Sequence, residues 1–137
     1  MRAKAKANNL SDKYSFDSAG IKIIYEKEEP DSRTVQLGKS RNVHFDNIFA
    51  RKVTSQDLED FDLILTMTQE HIDHVLEISP AKHYGKVRLL LEFCHVKNSN
   101  HDEVSDPFYK GKEDIAQTFD IIELAINNLF TILETEY

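Results

Sequence analysis

Phe61-Asp62-Leu63-Ile64-Leu65-Thr66-Met67, running without a break into Thr68-Gln69-Glu70-His71-Ile72-Asp73-His74-Val75-Leu76-Glu77-Ile78, decides the fold. The run Leu63 to Met67 is short and apolar on both alternating faces, as expected of a strand buried in a parallel sheet. From Thr68 the apolar residues Ile72, Val75 and Leu76 recur at helical spacing. A buried strand feeding a helix is half of a βαβ unit.

The flanking segments extend this alternation. Upstream, Thr54-Ser55-Gln56-Asp57 is a capping sequence for a short helix, with the threonine as an acceptor and acidic side chains offsetting the dipole. Downstream, Val87-Arg88-Leu89-Leu90-Leu91 is a further strand candidate. Ile115, Phe119, Ile122, Ile126, Leu129 and Leu133 then form one stripe on a closing helix. Toward the N-terminus, Tyr14-Ser15-Phe16-Asp17-Ser18 alternates aromatic and polar residues like a short strand leaving into a loop at Ala19-Gly20. That loop runs to Pro30. A short helix follows from Asp31, carrying Val35 and Leu37, with Gly38 available as its C-terminal cap. Met1 to Asn9 reads as a helix that buries little by itself, the back half of something longer. The whole predicts an α/β fold, a small doubly wound parallel sheet with functional loops at the carboxyl ends of its strands.

Composition narrows the function. At 137 residues, with 40% hydrophobic and 30% charged, the chain suits one globular domain, residues 1–137. A formal net charge of -7, with Lys and Arg scattered rather than gathered into a stripe, argues against nucleic acid as a partner. No apolar run reaches membrane-span length and Met1-Arg2-Ala3-Lys4-Ala5-Lys6 does not resemble a signal peptide, so the expected location is cytoplasmic with no membrane partner. Cys94 is the only cysteine, which excludes an internal disulfide and a multi-cysteine metal or redox site. His71 and His74 share a helix face, but no third ligand is placed beside them and they read as a solvated surface. No metal and no cofactor are expected.

Three blocks resemble the low-molecular-weight protein-tyrosine phosphatase family. They are Phe16-Asp17-Ser18-Ala19-Gly20 with Pro30-Asp31-Ser32-Arg33; Ala50-Arg51-Lys52-Val53-Thr54 running to Phe61–Met67; and Glu103-Val104-Ser105-Asp106-Pro107-Phe108-Tyr109. Their order and spacing, with Phe93-Cys94 and the closing helix, cover nearly the whole chain. The resemblance implies the family's three-layer sandwich, a four-stranded parallel sheet between helices, and hydrolysis of phosphotyrosine in proteins or of a small aryl phosphate through a cysteinyl-phosphate. It places Asp106 as the acid that protonates the leaving phenolate, a role typically worth about 10²–10⁴-fold. Phe108 and Tyr109 become an aromatic wall beside the substrate ring, with Tyr25 at the pocket mouth. Asp17 and Ser18 fall on the pair whose serine supports the phosphate loop.

One part of the family pattern has no counterpart in this sequence. The Cys-x5-Arg loop surrounds the phosphate with backbone N–H donors and a bidentate guanidinium, whose positive field keeps the thiolate ionised. Six residues beyond Cys94 stands Asn100, not arginine, and Cys94 reads as a small apolar residue at a strand end. The sequence joins the family pattern partway along its first helix, about twenty residues in by ordinary element lengths, so the central first strand is expected to be missing. Ile24, Tyr25, Lys27, Ile48 and Thr68 also depart from the family's pocket and loop-supporting residues. Two readings follow: a phosphatase whose N-terminus is truncated here, or a catalytically dead relative that binds a partner or phosphorylated ligand. Arsenate reduction needs additional cysteines to relay oxidation and is set aside. Exposed strand edges predict non-native self-association.

Overall fold

The computed structural model describes residues 1–22, 28–93 and 112–136, arranged as two compact units, 1–52 and 53–137. The second unit contains the deciding stretch. Strand β1 (Ile64–Thr66) pairs in parallel with β2 (Val87–Leu89), in the register Ile64 to Val87, Leu65 to Arg88 and Thr66 to Leu89. The Thr66 hydroxyl, buried, donates to the carbonyl of Arg88 at 3.2 Å and so satisfies itself across the ladder.

The helices of this unit start where local chemistry dictates. Thr54 precedes the helix Ser55–Asp60, and the Asp57 carboxylate reaches back to accept the Thr54 N–H at 2.8 Å, the reciprocal arrangement of a capping box. The helix Gln69–Glu77 opens on Thr68, whose hydroxyl accepts from the His71 N–H at 3.2 Å. A 3₁₀ turn, Ala81–Lys86, leads into β2, and the Lys86 ammonium donates to the Leu58 carbonyl at 2.7 Å. There a cation meets the negative end of a short helix. The final helix, Lys112–Glu136, buries Ile115, Ala125, Leu129 and Phe130. Leu90, Leu91 and Ala125 form a core cluster with Leu65, Met67, Ile122 and Ile126 packed against it.

The expected strand Val87 to Leu91 is shorter than its apolar run. The backbone leaves the sheet at Leu89 and enters a second 3₁₀ turn, Leu90–Phe93. Leu90 and Leu91 are apolar because they pack beneath the final helix, not because they continue the ladder. The Asn128 amide donates to the Phe93 carbonyl at 2.8 Å and fastens this turn to the helix.

In the first unit, helix α1 (Arg2–Ala7) and helix α2 (Ser32–Ser40) end alike. Leu10 N–H donates to the Ala5 carbonyl and Asn9 N–H to Lys6; Val43 N–H donates to Gly38 and Asn42 N–H to Lys39. Both are Schellman closures, with Asn9 (φ 59°) and Asn42 (φ 60°) in the left-handed region. Gly38 is therefore not the cap that its residue type suggests: it lies two residues inside α2, where the ring of Phe45 and the carbonyl of Val43 occupy the space a Cβ would need.

The expected strand Tyr14 to Ser18 is likewise not a ladder. Its backbone groups are taken by side chains: the Arg2 guanidinium donates to the Phe16 carbonyl at 3.0 Å, and the Ser18 N–H turns back to the Asp17 carboxylate at 2.8 Å. Among the described residues of this segment, pairing begins at Gly20, in a parallel bridge to Lys52.

Candidate active-site corner and family

Of the residues that sequence reasoning singles out, Asp17 and Ser18 lie among the described residues. Tyr25, Cys94, Asp106, Phe108 and Tyr109 lie outside them, as do Ile24 and Lys27.

The Asp17-Ser18 corner is held from both ends. Asp17 Oδ2 pairs with Arg51 Nη2 at 3.2 Å, while Asp17 Oδ1 accepts from the Ser18 N–H at 2.8 Å. Gly20 N–H donates to the Arg51 carbonyl at 2.9 Å, and the Gly20 to Lys52 bridge follows at once. One residue earlier, Ala50 N–H donates to the carbonyl of Glu28. The segment 50–52 thus serves as a splint for the corner. A carboxylate engaged with a guanidinium and with its own turn serves as a scaffold, and Ser18 is left exposed at the tip. Arg51 was legible as part of a quoted block, yet no sequence signal assigned it to Asp17, thirty-four residues away.

The chain enters α2 through Asp31. Its carboxylate caps the helix by accepting the Arg33 N–H at 2.8 Å and pairs with the Arg33 guanidinium at 3.0 Å. These Arg33 contacts hold the Asp31 carboxyl below its ordinary value and raise that of Arg33. In the second unit, His83 is buried and its Nε2 stands 3.0 Å from Glu59 Oε1, without the alignment of a straight hydrogen bond. Lys82 lies 3.5 Å from the same oxygen. The His83 imidazole, with Lys82 beside it, holds the Glu59 carboxyl below the usual range.

A sequence model of the low molecular weight phosphotyrosine protein phosphatases matches residues 1–137. The chain belongs to that family. It is 30% identical over 136 residues to the low molecular weight protein-tyrosine-phosphatase YfkJ of Bacillus subtilis, covering 98% of this chain and 84% of YfkJ. A putative member from Synechocystis is 31% identical, covering 99% and 85% of the two chains. Among solved structures, a protein tyrosine phosphatase from Entamoeba histolytica with Hepes in its active site superposes with a TM-score of 0.88 at 32% identity, covering 98% of this chain and 84% of that one. The crystal structure of YfkJ gives 0.84 at 29% identity, covering 99% and 84%. The α/β fold expected from the sequence is therefore that of this phosphatase family, whose substrates are phosphoproteins or aryl phosphates. Among the described residues no helix is long and apolar enough to cross a membrane.

Proposed function

We propose that this family member is built for phosphotyrosine hydrolysis with Asp106 as the proton donor, and that residues 1–137 by themselves do not complete the reaction. The observation that carries this reading is in the sequence: Asp106-Pro107-Phe108-Tyr109 is present, while no cysteine is followed six residues later by arginine. A general acid lowers the barrier only when a nucleophile is attacking phosphorus, since its proton is needed as the phenolate leaves. Phe108, Tyr109 and Tyr25 are assigned to the substrate ring, and Asp17 with Ser18 to support of the phosphate loop. The reading treats residues 1–137 as one cytoplasmic phosphatase domain, because a single family pattern runs through both units.

The test is a chemical trap. Incubation with a radiolabelled phosphotyrosine peptide followed by acid quenching should leave no label on Cys94 or elsewhere on the chain. Acid-stable label that disappears in Cys94→Ser would contradict the proposal.

A second reading is a relative that binds phosphorylated ligands without turning them over. It is favoured by the departures at Ile24, Tyr25, Lys27, Ile48 and Thr68, and Thr68 has a local use as the N-cap of the helix Gln69–Glu77. This reading requires measurable phosphopeptide binding with no release of phosphate.

A further inference from the structure

We draw no further inference here: the strongest candidate, the buried His83 imidazole that faces Glu59 and Lys82 between the helix Ser55–Asp60 and the 3₁₀ turn Ala81–Lys86, carries nothing because its contacts are those already described, with no third ligating side chain beside His83 and Glu59 among the described residues.

Discussion

A methyl group placed on Gly38 would stand 2.6 Å from Phe45 Cε2 and 2.8 Å from the carbonyl oxygen of Val43. Inside a helix, glycine is ordinarily worse than alanine by about 1 kcal/mol. Here the sign reverses, because a backbone oxygen cannot swing aside as a side chain can. Gly38→Ala should lower stability by about 1–3 kcal/mol, read as a fall in the urea midpoint at unchanged slope. Combining it with Phe45→Leu should recover only part of the loss, since Val43 remains. The sequence reading offered Gly38 as the helix end because glycine is the usual left-handed residue; Asn42 takes that place instead. Asparagine also tolerates the left-handed region, so residue type alone could not choose between them. The same limit hid Arg51. Which guanidinium reaches Asp17 depends on where the chain returns, and no local pattern encodes that.

Helix starts were more legible than strand ends. Thr54 with Asp57, and Thr68 with the His71 amide, are contacts within three residues, so their chemistry is written into adjacent positions. The run Val87 to Leu91 is not self-describing, because burial against a sheet and burial beneath the final helix call for the same leucines. Between elements, the helix Ser55–Asp60 and the 3₁₀ turn Ala81–Lys86 are joined by Glu59 with His83 and Lys82. Folding lowers the Glu59 carboxyl from its ordinary 4.5. A depressed carboxyl contributes stability above its unfolded value and loses it as pH falls through the folded one. Glu59→Gln should therefore melt below the parent protein at about pH 7 and level with it near pH 3. A gap that widens on acidification would contradict this assignment. Because Glu59 is exposed, the difference is expected to be small.

At the scale of the whole molecule, the order of blocks from Phe16 to Tyr109 sufficed to indicate the family. The described sheet has two strands of three residues each, and the outer edge of a strand offers its N–H and C=O groups to another chain. Self-association through strand edges is the expected outcome, with sedimentation velocity showing species heavier than the 15.9 kDa chain. A single monomeric boundary with a cooperative melt would count against it. The central claim, a phosphatase acid at Asp106 in a chain without its nucleophilic loop, is met most directly by hydrolysis of p-nitrophenyl phosphate. Residues 1–137 and their Asp106→Asn variant should release p-nitrophenol at the same rate as buffer; turnover by the parent chain that Asp106→Asn abolishes would contradict the account.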